Sequence, residues 1–225
     1  MDYIICGKHT VSSAYKNKRT KKIYLTNINN SHLFKITDVE IKKPSFFKSI
    51  IPDTNVIHQG FAALVSPIKQ VSLEKIIENK YCKIVALQGV EDQRNIGSII
   101  RTCAAFEIDC LVIEKNNFNE KNMLMNKSHV GNIEYLNIIT VSNIYNVIKK
   151  LTKYNFTSYC LDQNSDNLIN NENFAPKSIF VFGSEEKGAK KYIKNFCDVK
   201  IKIKINEKVE SLNVSNALAV TLSHL

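Results

Sequence analysis

From Tyr81 onward the sequence predicts an α/β domain built on a mostly parallel sheet. Three observations carry this. Short apolar runs of buried-strand length recur, among them "KIVALQ", "CLVIE" and "SIFVF". Stretches with apolar residues at helical spacing lie between them. Strand and helix alternate along the chain, an order that favours parallel strands covered by crossover helices.

The first strand of that domain is Lys83 to Gln88, and a helix follows from about Asn95, whose side chain is suited to cap it. Ile96, Ile99, Ile100, Cys103 and Ala104 form its apolar stripe. Arg101 falls about 140° from Ile96 at 100° per residue, so it faces away from the core. Gly97 in the first turn suits a close approach to the backbone. "CLVIE" from Cys110 is the next strand, a helical stretch near Lys121 follows, and "EYLNII" is a third strand. "SNIYNVIKKLTKY" puts Ile144, Val147, Ile148 and Leu151 on one helical face, with Ser142 placed to cap it. Next come the strand "FTSYCLD", a polar loop from Gln163 to Asn173 with no assignable chemistry, and "SIFVF". A turn with Gly183 and Gly188 leads into the helical "AKKYIKNF". "VKIKIKI" from Val199 alternates as a strand does, and "NVSNALAVTLSHL" closes the chain as a helix.

Residues 1–65 read as a separate small α/β unit with strands at "KKIYLT" and "VIHQGFAALV". Residues 66–79 read as a linker, and residues 80–225 as the larger domain.

Composition narrows the function classes. The longest apolar runs fall far short of the roughly 20 residues that span a bilayer. The amino terminus lacks a basic region followed by an apolar one, so a cytoplasmic location is expected. Six cysteines without a C-x-x-C pair, and five scattered histidines, predict buried thiols and no metal site. The formal charge is +10, and up to Lys75 the chain holds 12 Lys+Arg against 5 Asp+Glu. A basic front on a near-neutral body suits a polyanionic partner, a nucleic acid gripped ahead of a catalytic domain. Only three of the 31 basic residues are arginine, and two of these, Arg94 and Arg101, share "VEDQRNIGSIIRTCAAF".

Three polar turns follow strands or open helices: the one before Asn95, "FVFGSEEKG" with Glu185 and Glu186, and "ESLNVSNALA" with Ser211, Asn213 and Ser215. Each alone is explained by capping or solvation. Together, at strand ends of one α/β sheet, they mark a ligand crevice.

These segments resemble a known family. "GVEDQRNIGSIIRTCAAFEID", "IFVFGSEEKGAKKYIKNFCDVKIKI" and "VESLNVSNALAV" are similar, in order, to the three motifs of SpoU/TrmH-family RNA 2′-O-ribose methyltransferases of the SPOUT, or α/β-knot, class. "GKHTVSSAYKN" and "VIHQGFAALVSP" resemble the L30e-like RNA-binding domain of the 23S rRNA guanosine-2′-O-methyltransferase subgroup. The resemblance covers nearly the whole chain. It implies a carboxyl-terminal trefoil knot, a homodimer, and S-adenosyl-L-methionine (AdoMet) as methyl donor without a metal. Carried over by position, backbone groups of Gly183, Ile203 and Leu212 would hold AdoMet. Asn95, Arg101, Glu185 and Asn213 would line the reaction centre, with Ser211 nearby. Glu186, Ala189 and Lys204 depart from the usual family residues, and "SHVGNIE" is a weak version of a family segment. The resemblance implies rRNA as substrate, with no DNA or membrane partner. A tRNA 2′-O-methyltransferase, a non-catalytic rRNA-binding or ribosome-assembly factor, and a generic dinucleotide-binding domain are the alternatives, the last disfavoured because no G-x-G-x-x-G occurs.

Overall fold

The structure is a computed structural model that describes residues 1–34, 39–51, 56–184 and 186–225. The chain opens with β1 (Tyr3–Cys6), α1 (Lys8–Lys16), β2 (Thr20–Leu25), β3 (Val39–Ile41), α2 (Pro44–Ile50) and β4 (Phe61–Val65). It continues through α3 (Leu73–Ile77), β5 (Cys82–Gln88), α4 (Gln93–Ala105), β6 (Cys110–Glu114), α5 (Met123–His129) and β7 (Asn137–Val141). The last elements are α6 (Ile144–Thr152), β8 (Thr157–Leu161), β9 (Lys177–Gly183), α7 (Lys191–Phe196), β10 (Val199–Ile201) and α8 (Val214–Leu222). These fall into two units, Met1–Lys69 with Asn119–Tyr135, and Gln70–Phe118 with Leu136–Leu225.

The first unit is a four-stranded sheet in the order β1-β4-β2-β3, with β4 antiparallel to both neighbours and β3 parallel to β2. One core cluster joins Val11 and Ala14 of α1 to Ile5, Ile23, Leu25, Phe61 and Val65. A second joins Cys6, Phe47, Ile51, Val56 and Ala62, with Met123 and Leu124 of α5 packed on it. The segment around α5, which the sequence assigned to the larger domain, therefore completes the core of this unit. A buried ion pair fixes it there. Arg19 donates from Nε to Glu134 Oε1 and Oε2 at 2.9 and 3.0 Å, and from Nη2 to Oε1 at 2.6 Å. Its Nη1 donates to Tyr3 Oη at 3.0 Å and to the Ser66 carbonyl at 2.5 Å. Gly131, at φ +85°, lies where a Cβ would come within 2.7 Å of Ser13, so only glycine lets this loop close on α1. The strand expected from Val56 begins only at Phe61, because Gln59 and Gly60 have positive φ and form a turn whose Gly60 amide donates to His58 Nδ1 at 2.9 Å.

The second unit is a six-stranded, all-parallel sheet in the order β10-β8-β9-β5-β6-β7. Its central strands β5, β6 and β9 are almost entirely buried because helices cover a parallel sheet on both faces, which explains their continuous apolar runs. The presumed linker is not irregular throughout. Leu73, Ile76 and Ile77 of α3 are buried in a core cluster with Ile84, Val112, Ile148 and Val181. The alternation after Val199 gives only three strand residues, after which Lys202 is bonded to Asn167 and Ile169 of the preceding loop. Chain order reverses direction across β5 and β9, the position where open α/β sheets leave a crevice at the carboxyl ends of their strands.

Candidate functional site

Everything at the crevice belongs to the second unit. The end of β5 carries Gln88, which is buried, and Gly89, at φ +71°. Gln88 Oε1 accepts from the Lys190 amide at 2.8 Å, tying the end of β5 to the start of α7. The Gly89 amide donates to Glu114 Oε2 at 2.7 Å, tying β5 to the end of β6. At the end of β9, the Gly188 amide donates to the Ser184 carbonyl at 2.8 Å and closes a tight turn. A Cβ on Gly183 would sit 1.9 Å from the Ala189 amide nitrogen, so only glycine allows the chain to fold back here.

Helix α4 is capped by Asp92, not by Asn95 as the sequence suggested. Asp92 Oδ1 accepts from the amides of Arg94 and Asn95 at 2.7 and 3.2 Å. Likewise Asn143, not Ser142, caps α6. The Asp92 cap leaves the Asn95 side chain available for another contact. Asn213, the N-cap of α8, makes that contact. Its Oδ1 accepts from the Ser215 amide at 2.9 Å and from Ser215 Oγ at 2.6 Å. That arrangement fixes the amide so that Nδ2 points away from the cap, and it donates to Asn95 Oδ1 at 3.1 Å. Residues from the first and third motifs thus meet, with α4 and α8 packed together behind them.

Arg101 lies on the exposed face of α4, and among the described residues it has no hydrogen bond or ion pair. Arg94 is exposed too, seven residues earlier and therefore on nearly the same side of the helix. Glu185 lies outside the described residues.

Two cavities flank the Ser184–Gly188 turn. One, of about 400 Å³, is lined by Gly183, Ser211 and Leu212 together with Leu161, Phe182 and Val214. Ile203 is buried but does not line it. Sequence reasoning missed Asp162, at the end of a strand run, and Gln163 and Asn164, in a loop given no chemistry, on its wall. Lys194 Nζ donates to Asp162 Oδ1 at 3.0 Å, and both side chains are largely buried. The other cavity, of about 830 Å³, opens at the ends of β5, β6 and β7 and includes Gln88, Glu114 and Asn95. The six cysteines are all buried and unbridged, and burial pushes the Cys6 and Cys82 thiols up to about 11 and about 12. Among the described residues no helix is long and apolar enough to cross a membrane.

A model of the SpoU rRNA methylase family matches residues 83–223. An uncharacterized tRNA/rRNA methyltransferase of Mycoplasma genitalium is 34% identical over 216 residues, spanning 89% of this chain and 88% of its own. Another from Archaeoglobus fulgidus is 30% identical over 217 residues, spanning 95% of this chain and 94% of its own. Among solved structures, the SpoU methyltransferase AviRb of Streptomyces viridochromogenes superposes with a TM-score of 0.83 at 17% identity, covering 99% of this chain and 88% of that one. The fold, the meeting of motif residues at the crevice and these similarities together make the chain a member of the SpoU rRNA methylase family, an RNA methyltransferase of the SpoU/TrmH type.

Proposed function

We propose that the protein methylates a ribose 2′-oxygen of RNA with AdoMet as donor, and that its target is a guanosine of 23S rRNA. The observation that carries this reading is the Asn213–Asn95 hydrogen bond beside the cavity walled by Gly183, Ser211 and Leu212. That cavity suits AdoMet in size, since small-ligand sites run from roughly 300 to 1,000 Å³. It suits it in chemistry as well: Leu161, Phe182 and Val214 offer apolar surface for an adenine, and Asp162 and Glu210 offer carboxylates for ribose hydroxyls and a sulfonium charge. Backbone groups of Gly183 and Leu212 would hold the ligand, with Ile203 contributing through its backbone.

AdoMet supplies an electrophilic methyl group, and the protein must hold a 2′-oxygen in line with it. A guanidinium is a poor base but a good planar fork for phosphate, and Arg101 supplies one. In this reading it grips the phosphate beside the target ribose and stabilises the alkoxide as the hydroxyl proton leaves, with the phosphate assisting that departure. Asn95 and Asn213 orient the ribose, with Ser211 nearby, and Glu185 is assigned to the same centre by its motif position alone. An L30e-like character for the first unit, a trefoil knot in the second and a homodimer belong to the same proposal.

rRNA is favoured over tRNA by coverage. An AdoMet-bound rRNA methyltransferase from Sinorhizobium meliloti aligns with 99% of this chain, while a structure concerning 2′-OH methylation of C/U34 on tRNA aligns with 64%. The test offers unmodified 23S rRNA and bulk tRNA with labelled AdoMet. Label is expected in 23S rRNA, at a linkage made resistant to alkaline cleavage. Arg101→Ala and Arg101→Lys should each lower turnover by about 10²-fold or more. Label in tRNA alone overturns the rRNA assignment, and near-normal turnover by Arg101→Lys overturns the role of the fork.

A further inference from the structure

The six buried thiols take no part in the proposed chemistry, and one pair of them is unlike the rest. Cys160 lies in β8, and Cys197 is the C-cap of α7, where the chain turns into β10. Parallel pairing sets Val199 opposite Tyr159 and Lys200 opposite Cys160, so Cys197 comes in beside the strand that carries Cys160. Ser158 fixes the join. Its amide and Oγ donate to Asp198 Oδ2 at 2.8 and 2.6 Å, and its Oγ accepts from the Asp198 amide at 3.0 Å. Cys160 and Cys197 share one core cluster, and their thiols are hydrogen-bonded to each other.

The pair also differs in reactivity. Burial pushes the Cys6, Cys82, Cys103 and Cys110 thiols up, so the nucleophilic thiolate is scarce there. The hydrogen bond with Cys160, with a smaller contribution from Ser158, holds Cys197 below its ordinary value against the cost of burial. The same hydrogen bond raises Cys160, which keeps its proton. Cys197 is thus suited to attack and Cys160 to resolve. Access runs through α7, a six-residue helix in which Ile193 is the buried residue, so its end opens at low cost. Each thiol also lies near the wall of the cavity of about 400 Å³ that is assigned to AdoMet. Asp162, two residues past Cys160, and Lys194, three before Cys197, both line it, and they are bonded to each other at 3.0 Å.

We propose that Cys160 and Cys197 form a reversible disulfide site, oxidised by hydroperoxides and reduced by dithiols. Closing it draws the end of α7, with Lys194, towards β8 and weakens AdoMet binding in the adjoining cavity. The effect on AdoMet rests on the methyl-transfer reading, and formation of the disulfide does not. In the first step the Cys197 thiolate attacks the O–O bond of the hydroperoxide. A sulfenic acid forms on Cys197, and the other oxygen leaves with a proton as an alcohol, or as water when the oxidant is hydrogen peroxide. The Cys160 thiol then attacks the sulfenic sulfur, and its proton leaves with the hydroxyl as water. The two sulfurs lose the two electrons that the O–O bond gains. Exchange with a dithiol returns both thiols.

The test treats the reduced full chain with hydrogen peroxide, blocks the remaining thiols by alkylation, and maps tryptic peptides by mass spectrometry without reduction. Peptide 154–177 should appear joined to peptide 195–200, lighter than their sum by two hydrogens, and dithiothreitol should separate them. Those peptides hold Cys160 and Cys197 and no other cysteine, so the wild type alone decides the pairing. Cys197→Ser and Cys160→Ala should each abolish the link. By calorimetry, AdoMet should bind the oxidised wild type more weakly by roughly fivefold or more, and the same treatment should leave the affinity of either variant unchanged. Absence of the link, or a link that forms only in urea, overturns the proposal and leaves the methyl-transfer reading standing. A reversible link with unchanged AdoMet affinity overturns the control of the cavity. If the link forms but the reduced wild type does not bind AdoMet, the methyl-transfer reading falls and the disulfide site stands.

Discussion

Two polar constellations, one in each unit, use their hydrogen bonds in opposite ways. In the first unit Arg19 is buried, with its guanidinium shared among Glu134, Tyr3 and the Ser66 carbonyl. In the second, Arg101 is exposed without a partner among the described residues, and the polar pair closest to the proposed chemistry, Asn95 with Asn213, is neutral and only partly covered. A chain that uses lysine for nearly every positive charge has kept one arginine for architecture and exposed two others on a single helix. The buried fork is satisfied, so it can fasten a segment but cannot bind a ligand. The exposed one is unsatisfied, so it can.

Breaking the buried constellation should have the largest effect on stability. Glu134→Ala leaves a buried guanidinium without its carboxylate, which costs about 3–5 kcal/mol. Arg19→Met with Glu134→Leu should recover much of that loss, since apolar replacement of a whole buried pair is often tolerated. Urea denaturation followed by circular dichroism measures both. Equal, small losses in the two variants would show that the pair does not hold the 119–135 segment.

Acid should reach the same region by another route. His129 is fully buried, with Nδ1 accepting from the Gly131 amide and the other ring nitrogen 2.8 Å from Asn126 Oδ1. Burial, with the Arg19 charge adding to it, pushes its pKa down to about 3. The unfolded chain, with a histidine near 6.5, therefore binds the extra proton between pH 6.5 and 3. The sign follows: stability contributed by neutral His129 is present above pH 6.5 and is lost as pH falls, at up to about 1.4 kcal/mol per pH unit. His129→Gln should flatten the acid limb of a stability–pH curve. An unchanged slope would mean that other groups set it.

What was legible in the sequence follows from how far apart the cooperating residues lie. The central strands β5, β6 and β9 showed themselves because burial on both faces leaves uninterrupted apolar runs such as "KIVALQ" and "SIFVF". The core of the first unit did not, because Met123 and Leu124 reach it from a segment more than fifty residues downstream of β4. Caps were misplaced by one to three positions where several acceptors crowd a helix start, as Asp92 and Asn95 do. Motif order pointed to Asn95, Gly183, Ser211, Leu212 and Asn213; the structure sets Gly183, Ser211 and Leu212 on one cavity and bonds Asn213 to Asn95. Gln163 and Asn164 escaped notice because an exposed polar loop carries no periodicity, and Asp162 because it merely closes an apolar strand run.

The smallest expected effect on stability also separates two roles held by one residue. Asn213 caps α8 through Oδ1 and reaches Asn95 through Nδ2. Asn213→Ala removes both contacts and should cost about 1 kcal/mol, chiefly through the cap. Asn213→Asp keeps an oxygen for the Ser215 amide and places negative charge at a helix N-terminus, where it is favoured, so stability should stay within a few tenths of a kcal/mol of wild type. A carboxylate cannot donate to Asn95 Oδ1, however, and two oxygens would then face each other. If the amide pair orients the ribose, the aspartate variant should fold normally yet lose roughly ten- to hundredfold in methyl transfer, because slight misplacement of reacting groups is expensive. Thermal melts and transfer assays on the same preparations compare the two substitutions. Loss of activity in the alanine variant alone would make Asn213 a cap and nothing more, and the polar pair in the second unit would then be as architectural as the one in the first.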